Sequence, residues 1–119
     1  MSDIKRYGQS KRWSDVVVHR GVAYWVEVAE DNSQSAKEQI EQVLSQIDAT
    51  LAQIGSSREQ LLQITIYLAD LKDAPVLNAA WDAWVPAGHP PVRACVQAGL
   101  SPGYRVEMVI TAAVQQNSP

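Results

Sequence analysis

Two oppositely charged side chains near the C-terminus are the first candidates for a ligand site. Arg93 lies in the run VRACVQA and Glu107 in the run YRVEMVITAAV, and both runs have the composition of β-strands. If these strands are neighbours, a guanidinium and a carboxylate share one surface, and a small ligand fits between them. The alternative is a cross-strand ion pair that only makes the surface soluble.

The spacing of the two runs predicts an antiparallel hairpin. We set the register by placing Ala98 opposite Tyr104. Cys95 then faces Glu107, and Arg93 is a diagonal neighbour of Glu107 at about 7 to 8 Å. Alternation divides the hairpin into an apolar face, expected beneath helices, and a second face. The apolar face carries Val92, Ala94, Val96, Ala98, Val106, Met108 and Ile110, and the second face carries Arg93, Cys95, Gln97, Arg105 and Glu107.

Two amphipathic helices are expected to cover the apolar face. The first begins at a capping box formed by Ser35 and Glu38, and Gly55 stands where a left-handed residue ends a helix. The second begins near Pro75 and must end at Pro86, because proline lacks the backbone donor that a helix requires. The solvated face of the first helix is expected to carry Lys37, Glu41 and Asp48.

The other segments have the period of β-strands. Residues 13–28 contain two short apolar runs separated by Arg20 and Gly21, which predicts a hairpin. A strand within 61–70 is expected to place on its apolar face Leu62, Ile64, Ile66 and Leu68. The element order ββαβαββ predicts an α+β fold, a sheet with two helices packed on one face. We expect one domain over 1–119, with an ordered core at about 11–114 and frayed ends.

Composition limits the classes of function. The chain has 119 residues and a formal charge of −3, and although residues 1–20 hold five basic against two acidic residues, no basic stripe continues through the domain. Nucleic acid is therefore not the expected main partner. No apolar run approaches the roughly 20 residues of a membrane helix, and the lone Cys95 and the start MSDIKRYGQS favour a cytoplasmic protein. No phosphate-binding glycine loop or metal-ligand spacing is present, so nucleotide hydrolysis and zinc chemistry are not expected.

Cys95 is a candidate nucleophile by residue type. A reactive thiol requires a nearby base, but His89 is separated from it by two prolines and His19 lies in the first hairpin. We therefore interpret both histidines as loop or surface residues.

The C-terminal residues resemble a known family. The run Pro91-Val-Arg93-Ala-Cys95-Val-Gln97, followed by Arg105-Val-Glu107, is similar to the signature of the RidA/YjgF family of reactive-intermediate deaminases. Gly55, the strand ITIYLADL and Asn78 match further family positions. The resemblance covers roughly residues 13–114, and the runs WSDVVVH and PAGHPPVRACVQAGL resemble a YoaB-like branch.

This resemblance implies a chorismate-mutase-like fold and a homotrimer with three clefts between its subunits. The family reaction is hydrolysis of enamines or imines, such as 2-aminoacrylate and 2-iminopropanoate, to a 2-keto acid and ammonia. Arg93 would bind the substrate carboxylate and Glu107 would position the attacking water. The backbone of Cys95 would contact the ligand, and Asn78 would lie at the pocket edge. No cofactor is implied.

Two pocket positions depart from the family pattern. Where active deaminases carry a tyrosine and a Ser-Gly pair, this chain has Trp13 and Val26-Glu27. Glu27 would add bulk and negative charge near an anionic substrate. It could pair with Arg93 or Arg105 and block the pocket, or tune it toward a neutral or cationic imine.

Two alternatives to imine hydrolysis depend on different features of the chain. A non-catalytic small-molecule-binding or chaperone-like trimer requires the cavity but no positioned water. RNA cleavage, the less favoured alternative, would depend on the basic residues Lys5, Arg6, Lys11, Arg12 and Arg20.

Overall fold

One mixed sheet organises the chain. The computed structural model describes residues 3–115. The strands are β1 (Lys5–Tyr7), β2 (Val16–His19), β3 (Val22–Val28), β4 (Leu61–Leu68), β5 (Val92–Gln97) and β6 (Val106–Ala113), in the order β1-β2-β3-β6-β4-β5. The helices are α1 (Ala36–Gln53) and α2 (Ala74–Trp84), with 3₁₀ turns at Arg58–Gln60 and Leu71–Asp73. The predicted α+β fold is confirmed.

The N-terminal region contains one strand more than the sequence predicted. Residues 1–10 were expected to fray, but β1 pairs with β2 and places Arg6 opposite Val17. The β2–β3 hairpin is confirmed: its turn has Arg20 at φ 52° and Gly21 at φ 79°, the left-handed pair that a two-residue turn requires.

Both ends of α1 form as the sequence predicted. The Ser35 hydroxyl accepts a hydrogen bond from the Glu38 backbone N–H at 3.2 Å. Gly55, with φ 72°, follows the C-cap residue Ile54. The buried stripe of the helix is Ile40, Val43, Leu44, Ile47 and Leu51. The helix therefore packs on the sheet through its apolar face, as its periodicity requires.

An irregularity at the start of β4 corrects one predicted face. The register of β4 against β6 shifts between Leu61 and Gln63. Leu61 is consequently buried, whereas Leu62, predicted to face the core, is 44% exposed. Ile64, Ile66 and Leu68 are fully buried as expected. A β-bulge adds one residue to a strand and so reverses the alternation before it.

The predicted β5–β6 hairpin is wrong. β5 pairs in parallel with β4, and β6 pairs antiparallel with β4 and with β3, so β4 lies between β5 and β6. The connection between them passes over the end of β4, where Ala98 N–H donates to the Leu68 carbonyl and Ala69 N–H donates to the Arg105 carbonyl, both at 3.0 Å. The β4–α2–β5 segment is a crossover unit, and such units join parallel strands.

A buried glutamine fixes this connection to α1. Gln39 is fully buried, and its amide nitrogen donates to the carbonyls of Gly103 at 2.9 Å and Gln34 at 3.0 Å. Its oxygen accepts from the Arg105 N–H at 2.9 Å. Satisfied amide groups of this kind determine one path for a loop because an unpaired buried amide is costly.

The parallel pairing of β5 changes which residues share a face. The helix face of the sheet, covered by α1 and α2, carries Val106, Met108 and Ile110 as expected, together with the alternate residues of β5. These residues of β5 are Arg93, Cys95 and Gln97, and the sequence had predicted them on the face away from the helices. The uncovered side, called the open face below, carries Tyr24, Val26, Thr65, Tyr67, Val92, Ala94, Val96, Glu107, Val109 and Thr111. Within residues 3–115, no helix is long and apolar enough to span a membrane.

Candidate active site

Arg93 is held in a defined orientation by α2. Its Nη1 donates to Asn78 Oδ1 at 2.9 Å, and its guanidinium lies 5.3 Å from the centre of the Trp81 ring. Asn78 and Trp81 are three residues apart and so share one side of α2. Neither partner is an anion, and no carboxylate among the described residues forms an ion pair with Arg93. The remaining N–H donors of this exposed guanidinium are therefore available to an anionic ligand.

Trp81 was not among the residues that the sequence predicted for the site. The ring is 6% exposed and does belong to the core, yet it also supports Arg93. The signal that could have revealed this role is the crossover geometry, because a helix that joins two parallel strands lies against the strand that follows it.

Glu107 lies on the other side of the sheet. On the open face it is flanked by Val28 of β3 and Tyr67 of β4. It is half-buried, and its carboxylate has no hydrogen-bond or ion-pair partner within the described residues. The predicted diagonal contact with Arg93 is therefore wrong, and so is the alternative of an ion pair between them.

Trp13, Val26 and Glu27 meet at a third place. β2 begins at Val16, and its first pair with β3 is Val17 with Tyr24, so the outer edge of β3 beyond Tyr24 has no partner strand among the described residues. A cleft of about 790 Å³ opens there, called the β3 cleft below. Its walls include Trp13, Asp15, Tyr24, Val26, Glu27 and Thr50. The Trp13 ring is 64% exposed at this cleft.

Glu27 is anchored by neutral groups. Its carboxylate accepts hydrogen bonds from Trp25 Nε1 at 3.0 Å, Thr50 Oγ1 at 3.2 Å and Gln46 Nε2 at 3.3 Å. Within one chain Glu27 pairs with neither arginine: it forms no ion pair with Arg93, and the Arg105 guanidinium contacts Asp73 at 2.8 Å.

Cys95 lies on the helix face of β5, half-buried and opposite Ile66. The two histidines bond elsewhere: His19 Nε2 contacts Asp3 at 3.1 Å, and His89 Nδ1 contacts the Ala87 carbonyl at 3.2 Å. The described residues therefore give the thiol no histidine base, and both histidines lie in loop or surface positions of the kind that the sequence predicted.

An ion pair that the sequence did not reveal supports α2. Arg58 forms two hydrogen bonds to Asp48, at 2.7 and 2.8 Å, and its Nη1 donates to the Trp84 carbonyl at 2.8 Å. The Asp48 carboxylate raises the pKa of the Arg58 guanidinium. Asp48 was expected to be a solvated residue; instead it connects α1 to the C-terminal end of α2 and so helps to fix the helix that holds Arg93.

Arg93, Glu107 and the cleft at the edge of β3 do not meet within one chain. Arg93, Ile64, Ile110 and Trp25 lie in one row across four strands. Three steps between neighbouring strands place Arg93 about 14 Å from the β3 edge at backbone level. A small ligand cannot touch both ends of this row, so a site that uses both requires a second copy of the chain.

Comparison of the sequence with known proteins identifies the family to which this chain belongs. The family model described as Endoribonuclease L-PSP matches residues 2–114. The RutC family protein YoaB of Escherichia coli is 50% identical over 112 residues, which is 93% of this chain and 98% of that protein. A RutC family protein of Haemophilus ducreyi is 41% identical over 113 residues, 93% of this chain and 97% of that protein.

Solved structures with the same fold lead to the same family. A putative translation initiation inhibitor from Salmonella typhimurium superposes with a TM-score of 0.88 and 48% identity, covering 94% of this chain and 98% of that one. A YjgF family member from Neisseria meningitidis gives a TM-score of 0.90 with 42% identity, covering 97% and 98%. Sequence and fold lead to the same assignment, and this chain belongs to the RidA/YjgF family, in its YoaB-like branch.

Proposed function

We propose that this protein hydrolyses enamine and imine intermediates derived from amino acids, giving a 2-keto acid and ammonia. The observation that carries the proposal is the held but unneutralised guanidinium of Arg93, which Asn78 and Trp81 orient without supplying an anion. A planar guanidinium with free donors binds a carboxylate through two parallel hydrogen bonds. The chain belongs to the RidA/YjgF family, and its resemblance to the reactive-intermediate deaminases of that family implies the same reaction class.

The site is proposed to form between copies of the chain in a homotrimer. The open face exposes apolar side chains that are costly to leave in water: Val92 at 65%, Val96 at 42% and Val109 at 37%. A second copy packed on this face would remove them from solvent. It would also let β5 of one subunit approach the β3 cleft of the next, which the spacing within one chain prevents.

Arg93 would bind the substrate carboxylate in this cleft, and the Cys95 backbone would contact the ligand beside it. Asn78 acts through Arg93 and is a positioning residue. Glu107, half-buried and without a partner in residues 3–115, would hold water and accept its proton. Water adds to the imine carbon, the C–N bond breaks, and the proton returns to nitrogen as ammonia leaves. Orientation together with one acid–base group supplies about 10² to 10⁴ in rate.

The test couples an amino-acid oxidase to semicarbazide, which traps the imine before it hydrolyses. We expect the wild-type protein to compete with the trap and lower the rate of semicarbazone formation. Arg93→Ala should abolish this effect, and light scattering should show the same trimer. Glu107→Gln should lower kcat more than it changes KM. A wild-type protein that never competes with the trap would refute deaminase activity for the imines tested.

A non-catalytic ligand-binding trimer is the second candidate. Glu27 favours it, because a fixed carboxylate in the β3 cleft opposes an anionic substrate there. This candidate predicts that an amino acid with a cationic side chain binds in an Arg93-dependent manner while imine hydrolysis stays at the rate in buffer.

A further inference from the structure

The β3 cleft carries negative charge that nothing in its walls offsets. Among the described residues that line it, Glu27 and Asp15 are acidic and none is lysine or arginine. All three groups that hold the Glu27 carboxylate are neutral. Its position is thereby fixed, and its charge remains available to a ligand.

The other walls suit the apolar and cationic parts of one molecule. Trp13 and Tyr24 are 64% and 48% exposed beside the cleft, and Val26 is 52% exposed. Aromatic rings and a valine accept an alkyl chain, and the faces of the rings also attract a cation. About 790 Å³ is ample for the side chain of an amino acid.

We propose that the β3 cleft selects imines whose side chain ends in a cation, with Glu27 as the specificity-determining residue. The inference rests on the proposed function, because the carboxylate of such a substrate would be bound by Arg93 of a neighbouring subunit. Charge complementarity assigns the side-chain end: a guanidinium or ammonium gains from Glu27, whereas a carboxylate is repelled.

Arginine and citrulline provide a matched pair of probes. Their side chains have nearly the same size, but only arginine is charged. With imines generated from both by a broad-range L-amino-acid oxidase, the wild-type protein should show kcat/KM about tenfold higher for the arginine-derived imine. Glu27→Gln keeps the shape and removes the charge, so the ratio should fall to about one. Glu41→Gln, an exposed change on α1 outside the cleft, should leave the ratio unchanged.

A second measurement separates failure of this inference from failure of the proposed function. Binding of L-arginine and L-citrulline is followed by NMR through the Trp13 indole signal. If neither imine is hydrolysed, the deaminase proposal fails, and tighter binding of arginine that depends on Glu27 still supports the cleft assignment. Equal affinities for the two probes, or an arginine preference that survives Glu27→Gln, overturns it.

Discussion

Charged side chains in this protein are held in two different ways. In the region joining α1 to α2, Arg58 contacts Asp48, and at the start of β6 Arg105 contacts Asp73. At the β5 edge and in the β3 cleft, Arg93 and Glu27 are held by neutral amide, hydroxyl and indole groups. In the first arrangement each charge is neutralised by an ion pair that joins two elements. The second fixes a charge in place and leaves it for a ligand.

The largest expected effect comes from Arg93→Lys. Lysine keeps the charge but loses the planar pair of donors, and it loses the shape that fits Asn78 and Trp81. If the free guanidinium edge binds substrate, kcat/KM for imine hydrolysis should fall about 10²-fold. Arg6→Lys, on exposed β1, should have no such effect. An Arg93→Lys variant as active as the wild type would show that bidentate binding is not used.

Asp48→Asn should mainly change stability. It leaves the half-buried Arg58 guanidinium without its anion, while Trp84 Nε1, which donates to Asp48 at 3.2 Å, loses a charged acceptor. We expect the free energy of unfolding in urea to fall by about 1 to 2 kcal/mol. Arg93→Lys should change it by less than about 0.5 kcal/mol. Equal losses in the two variants would remove the distinction between paired and unpaired charges.

Asn78→Ala should have a smaller effect on the reaction. The alanine variant frees Nη1 of Arg93, so the guanidinium explores more orientations before it binds. KM should rise about fivefold with a smaller change in kcat, in line with about 1 kcal/mol for one hydrogen bond. Asp82→Ala, an exposed change on the same helix, is the matched control. A loss of kcat at constant KM would place Asn78 in the chemical step instead.

Local patterns predicted most of the fold. The cap at Ser35, the left-handed Gly55 and the Arg20-Gly21 turn follow from single-residue conformational preferences, and the structure contains all three. The β1 strand was missed because a three-residue edge strand with two charges has the composition of a tail. The β4 bulge was missed because alternation alone gives no sign of an inserted residue.

The site was harder to predict, because it depends on strand order. The motif residues Arg93 and Glu107 were identified from their types, but their placement assumed that consecutive strands pair. Pairing of β5 with β4 reverses the face of Arg93, since a change of partner resets which alternate residues point to the helices. Gln46 and Thr50, which hold Glu27, could not be found from spacing because they lie on α1, far from β3 in sequence.

The smallest effect tests whether neutral donors alone can hold a carboxylate ionised. Asp31 accepts hydrogen bonds from the Ser33 hydroxyl and N–H and from Gln34 Nε2, and these lower its pKa to about 2. A lowered pKa means that this contribution to stability is present above about pH 4 and is lost as the pH falls toward 2. A carboxyl NMR titration should give a midpoint near 2 for Asp31 and a higher one in Ser33→Ala. An ordinary midpoint in the wild type would mean that neutral donors do not favour the ionised form.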